Sequence, residues 1–301
     1  MKKTVIVIAL ILVAVGAVLL FVGLAKNGFR PQSETDADLT EKTVLPEGEF
    51  SEIWVNNGFY AVKIVPSEDG LTRAVFDENE KITVEVTVEN GVLRVRQKDL
   101  RKWYERIGWV SFGKRRLTLS LPEKTYGKLT VKSGSGSVEI TTAYAFGNVS
   151  FDISSGSLSA VGLTADGLRL DISSGSAAIS DALVNGAFSV DVSSGSAQIS
   201  GVRAAALSAD LSSGKTTFSD VVATGRAEID VSSGTMLLND FDAETIDMDL
   251  SSGTVKGSLL SAKNFDTHAS SGKITVPASD PTAGLCKIRV SSGSVTLSVK
   301  E

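Results

Sequence analysis

Nine glycines, each directly after a serine, recur at a regular interval between Ser135 and Gly293: Gly136, Gly156, Gly175, Gly195, Gly214, Gly234, Gly253, Gly272 and Gly293. Their separations are 20, 19, 20, 19, 20, 19, 19 and 21 residues. So constant a period marks an array of small stacked units. Three, five and seven positions before Gly175 stand Ile172, Leu170 and Leu168; before Gly253 stand Leu250, Met248 and Ile246. Apolar residues return two and four positions after the glycine, as in Val138/Ile140 and Met236/Leu238, with Ser, Thr, Asp, Lys and Glu between. Period-two alternation on both sides of Ser-Ser-Gly predicts two strands per unit with one face inward. A single unit cannot bury that face, whereas stacked units share a core. The expected fold is therefore all-β, a parallel β-solenoid with two strands per 19–20-residue coil. At ~4.8 Å between coils, nine of them would extend ~40 Å. Ser-Ser-Gly is the expected corner, with glycine taking positive φ and serine hydroxyls stacking from coil to coil. Cys286 falls in a core column, as a buried inert thiol.

Four positions before the glycine lies a second column: Asp152, Asp171, Asp191, Asp210, Asp230 and Asp249 on six consecutive coils, with Lys132 before them and His268 and Arg289 after. In this register all point outward. Neighbours ~5 Å apart repel by ~0.9 kcal/mol even at water's dielectric. The residues suit acceptance of hydrogen bonds from serine hydroxyls or turn amides. The alternative is weak divalent-cation binding, since calcium takes several carboxylate oxygens. No Gly-Gly-x-Gly-x-Asp calcium repeat is present, and no cofactor is expected. His268 reads as a surface imidazole at the column's end.

Residues 4–25, TVIVIALILVAVGAVLLFVGLA, carry no charge and follow Lys2 and Lys3. As a helix they would reach ~33 Å, enough to span a bilayer core of ~30 Å. They predict one N-terminal transmembrane helix, with the remainder outside the cytoplasm. The alternative is a signal peptide cleaved after the small residues Gly23 and Ala25, giving a secreted chain. Residues 26–48 are polar and acidic and read as a flexible spacer. The pentapeptide LPEKT at 121–125 fails as a cell-wall sorting signal: Lys124 replaces the required Thr, and no apolar tail follows.

Residues 49–126 form a third region, a β-rich cap or set of starter coils ahead of the repeats at 127–301. FSEIWVNNGFYAVKIVPS and KITVEVTVENGVLRVRQK read as hairpins turning at Asn-Gly. All three tryptophans, Trp54, Trp103 and Trp109, lie here. From Arg94 to Arg116 nine basic and two acidic residues give a local charge of +7, whereas 127–301 carries 12 basic and 18 acidic residues, net −6. Arg101, Lys102, Trp103, Arg106, Trp109, Lys114, Arg115 and Arg116 are candidates for contact with anionic lipid, wall polymer or an envelope protein. The same aromatics would also serve as a plug on the solenoid's end. One Cys and one His exclude a disulfide framework and a Cys-based metal cluster, and a net charge of −5 gives no reason to expect nucleic acid.

The entry LPEKTYGKLTVKSGSGSVEI and the recurring Asp-x-Ser-Ser-Gly-Ser/Thr corners resemble a bacterial β-strand-repeat family of unknown function whose members are labelled adhesins. The resemblance covers roughly 49–301. It implies a noncatalytic envelope module and supplies no catalytic motif. Some members sit beside envelope-stress regulatory systems, so an accessory regulator of such a system is the alternative function. A carbohydrate-active enzyme is a weaker third, because here the acids are the repeated residues rather than exceptions to the repeat.

Overall fold

The computed structural model describes residues 39–102, 115–141 and 144–300. The expected transmembrane helix at 4–25, most of the spacer and the basic aromatic run at 103–114 lie outside the described residues. Among those described, no helix is long and apolar enough to cross a membrane. The described residues form strands joined by turns, bends and irregular links, with no helix among them.

The regular coils stack in parallel with the predicted register. Val149, Leu168, Phe188, Leu207, Ala227 and Ile246 fall opposite one another, and so do Phe151, Leu170, Val190, Ala209, Ile229 and Met248. All twelve are buried. Each large aliphatic side chain so buried contributes roughly 1.5–3 kcal/mol.

At the Ser-Ser-Gly corner the glycines have a different reason from the one expected. None of the nine has positive φ. Instead, a Cβ on Gly156 would run into the Gly136 carbonyl oxygen, and one on Gly195 into that of Gly175. Close stacking of corner on corner excludes a side chain. The ladder is also backbone rather than hydroxyl: Ser174 N–H donates to Ser154 O at 2.7 Å and Ser176 N–H to Gly156 O at 3.0 Å, while the serines of the regular corners remain exposed. Positive φ occurs at another corner, at Gly162, Asp181, Gly201, Asp220 and Asp240. Asp and Gly are among the residue types that enter this conformation at least cost.

The N-terminal end begins inside the expected spacer, where β1 (Thr40–Val44) is an antiparallel strand on β4 (Arg73–Glu78). The Asn-Gly hairpin expected at Asn57-Gly58 is absent. β2 (Glu52–Asn57) and β3 (Ala61–Pro66) instead form a coil around that corner. They pair in parallel with β8 (Tyr126–Ser133) and β9 (Ser137–Thr141) on one side. On the other side lie β6 (Val92–Asp99) and β7 (Arg116–Leu121), also parallel. The hairpin expected at Asn90-Gly91 does form: β5 (Ile82–Glu89) returns antiparallel as β6, with φ of 52° and 75° at those two residues, as a type I′ turn requires. β4 and β5 thus cover the free edges of β7 and β6 with antiparallel pairing. Phe50, Tyr126 and Phe146 stack in this region at 6.1 and 5.8 Å between centroids.

Nine strands, β10 to β18, carry the chain from Ala145 to Leu259, ending with β17 (Thr235–Leu250) and β18 (Thr254–Leu259). The last two coils then exchange places. β19 (Asn264–Ala269) and β20 (Lys273–Thr275) precede β21 (Leu285–Val290) and β22 (Ser294–Val299) in sequence. In the stack, however, β21 and β22 lie against β17 and β18, leaving β19 and β20 outermost. Coil order is inverted at the N-terminal end as well, since β6 and β7 lie outside β2 and β3.

Candidate functional site

Side chains that alternate with the core project from one outer sheet face. One row of that face runs Arg96, Asn56, Lys132, Asp152, Asp171, Asp191, Asp210, Asp230, Asp249, Arg289 and finally His268. The six aspartates are therefore in one outward file, as the sequence predicts. The far end differs: the coil exchange puts Arg289, not His268, next to Asp249. His268 lies exposed on the outermost strand.

The ends of the file are neutralised and its middle is not. Lys132 Nζ stands 3.3 Å from Asp152, Arg169 makes two bonds of 2.7 and 2.8 Å to Asp171, and Arg289 reaches both Asp249 (3.4 Å) and Asp247 (3.3 Å). The carboxylates of Asp191, Asp210 and Asp230 have no hydrogen bond or ion pair among the described residues. Partial burial, then the carboxylates of Asp210 and Asp171, push the Asp191 pKa up. Partial burial and then Asp210 and Asp249 do the same to Asp230. Among the described residues no serine hydroxyl or corner amide donates to any of the six carboxylates, contrary to the turn-acceptor expectation. Each aspartate is the next-to-last residue of its strand and projects from the sheet face, while the corner amides are engaged in the backbone ladder.

Among the described residues no three His, Cys, Asp or Glu side chains converge as a metal ion requires. A file of one carboxylate per coil spreads its charges along the stack and does not gather them around a point. Cys286 lies in the core between Ile246 and Phe265, and burial pushes its thiol up to about 12. It is protonated at neutral pH and inert as a nucleophile.

The basic aromatic set divides. Trp103, Arg106, Trp109 and Lys114 lie outside the described residues. Arg101 and Arg115 are buried, which is at odds with a surface-contact role for these two. The Arg115 guanidinium packs 6.0 Å from the Tyr60 ring centroid. Lys102 and Arg116 are exposed, and Arg116 Nε holds Asp77 at 3.2 Å.

Sequence reading missed a recess on the N-terminal cap lined by Trp54, Glu85, Thr87, Glu89, Arg94 and Arg96. Its residues come from β2, β5 and β6, and nothing in the sequence announces that β2 pairs with β6.

Two solved structures share the fold. A candidate adhesin from Parabacteroides merdae ATCC 43184 matches at TM-score 0.58 and 11% identity, covering 88% of this chain and 98% of that one. A candidate lipid-binding protein from Parabacteroides distasonis ATCC 8503 matches at TM-score 0.50 and 16% identity over the same shares. Comparison with curated proteins gives no match. The Toastrack family profile, DUF4097, matches residues 50–234 and again 172–301, so the chain belongs to the Toastrack family.

Proposed function

We propose that the chain is a noncatalytic interaction or structural module of the cell envelope, adhesin-like, displayed outside the cytoplasm by a single-pass anchor at residues 4–25. The observation that carries this reading is the outward acid file, one aspartate per coil from Asp152 to Asp249 in unbroken register. Catalysis needs a few groups set apart from their surroundings and converging on one reacting atom. Here the charged groups recur instead of converging. A repeated face suits attachment through many weak contacts whose strengths multiply when they are linked. The anchor is supported by 22 uncharged residues after Lys2 and Lys3.

Photo-crosslinking in living cells tests the proposal, with one probe at Asp210 and another at Trp103, followed by mass spectrometry of the captured material. Glycan or protein from another cell captured at position 210 is the expected result. Capture of a defined membrane signalling protein through position 103 alone would overturn it in favour of an accessory regulator.

A further inference from the structure

The recess on the N-terminal cap has a chemistry of its own. Parallel pairing of β2 with β6 sets Trp54 beside Arg94. Antiparallel pairing of β6 with β5 sets Arg94 beside Thr87 and Arg96 beside Glu85. Alternation turns these side chains, and that of Glu89, to the same outer face. Together they enclose a cavity volume of about 360 Å³, at the small end of ligand sites, which span ~300–1,000 Å³.

The Arg94 guanidinium lies 5.5 Å from the Trp54 ring centroid. A cation–π contact of this kind holds the guanidinium beside the indole and leaves its N–H groups able to donate elsewhere. The Arg94 side chain has no hydrogen bond or ion pair among the described residues, and neither have those of Arg96 and Glu89. Glu85, although opposite Arg96, turns to Lys98 at 2.8 Å. Two guanidinium groups and two carboxylates therefore surround a half-buried indole, and only one of these four charges is paired.

That lining selects its ligand class. An anion would meet Glu85 and Glu89, a cation would meet Arg94 and Arg96, and an apolar ligand would strip water from unpaired charges at a cost. Adjacent hydroxyl groups satisfy both signs at once: one donates to a carboxylate while the next accepts from a guanidinium. The C–H face of a sugar ring can lie against the exposed part of the indole. We propose that this recess is a binding subsite for a neutral, hydroxyl-rich saccharide. Its biological sense rests on the interaction-module reading, whereas its chemistry stands without it.

The test uses the full chain in a detergent without a sugar headgroup, applied to an array of neutral hexose and N-acetylhexosamine oligosaccharides. Uronate-bearing and phosphate-bearing glycans form separate arms. The strongest neutral oligosaccharide is then titrated by calorimetry. The expected result is a neutral oligosaccharide bound at least tenfold more weakly by Trp54→Ala and by Arg96→Ala, and equally well by Lys256→Ala, at an exposed position of β18 outside both the recess and the acid file. Arg96 is exposed and unpartnered, so its replacement tests the site even if the tryptophan variant folds poorly. Binding of no glycan, binding only of acidic glycans, or undiminished affinity in Arg96→Ala would each overturn the proposal. Cell-surface capture along the acid file without sugar binding would remove the saccharide site and leave the module reading standing. Sugar binding by a chain that captures only a signalling partner would do the reverse.

Discussion

At Gly195 a single methyl group decides whether two coils can stack. Its Cβ would enter the space of the Gly175 carbonyl oxygen and the Ile172 side chain, where neither backbone has room to yield. Gly195→Ala is expected to cost about 2–3 kcal/mol or more, read as a fall in the urea midpoint. Unchanged stability would show that the corner relaxes more readily than its geometry implies. The residue type was legible from the repeat, but its reason was not, because the sequence shows a recurring glycine without showing what approaches it. The true positive-φ corner was readable in principle: Gly162, Asp181, Gly201, Asp220 and Asp240 recur at 19 or 20 residues. It was hidden because two residue types share the position. The unpaired middle of the acid file gives a second expectation. Asp210→Asn relieves repulsion on both neighbours and should add about 0.5–1 kcal/mol at pH 7 and low salt. Partial burial and the neighbouring carboxylates raise the Asp191 and Asp230 pKa values from the ordinary aspartate value when folded. As pH falls the folded chain takes up these protons first, so their penalty shrinks toward pH ~4 and the benefit of the substitution fades with it. Urea unfolding at both pH values checks this. An equal gain at pH 7 and pH 4 would mean that charge is not the cause.

Among the elements, the link between β18 and β19 does the unusual work of skipping a coil height. Lys263 ties this link to β17: its buried ammonium stands 2.6 Å from both Asp242 Oδ1 and the Ala243 carbonyl oxygen. Lys263→Met would leave the largely buried Asp242 carboxylate with only the Ala243 N–H as hydrogen-bond donor and no counter-charge, a loss of about 3 kcal/mol. The damage should remain at that end of the stack. Cys286, shielded by Phe265 on β19, should then react with a thiol reagent in native buffer while the far-ultraviolet circular dichroism persists. Continued protection of Cys286 would show that the link is held by other contacts. The exchange of coil order was not legible in the sequence. Coils 264–275 and 285–299 carry the same alternation, and a periodic pattern fixes which residues face inward without fixing which coil stacks on which. The misread hairpin at Asn57-Gly58 has the same origin, since a tight turn serves a hairpin and a coil corner alike.

Across the whole molecule, parallel solenoid, inward columns and outward acid file were all present in a single periodicity. The recess at Trp54 was not, because it depends on pairing between strands far apart in sequence. The inverted coil order at the C-terminal end also has a mechanical consequence. In a solenoid whose last coil is its terminus, a pull on the chain end detaches one hydrogen bond after another. Here β21 and β22 lie between β17/β18 and β19/β20, and Lys300 N–H is bonded to Leu259 O across that seam. A pull along the chain beyond β22 therefore first meets the β18 ladder at Leu297–Lys300 and, from Thr296 inward, must load two ladders together, so this end resists tension as a clamped joint does, by sharing the load.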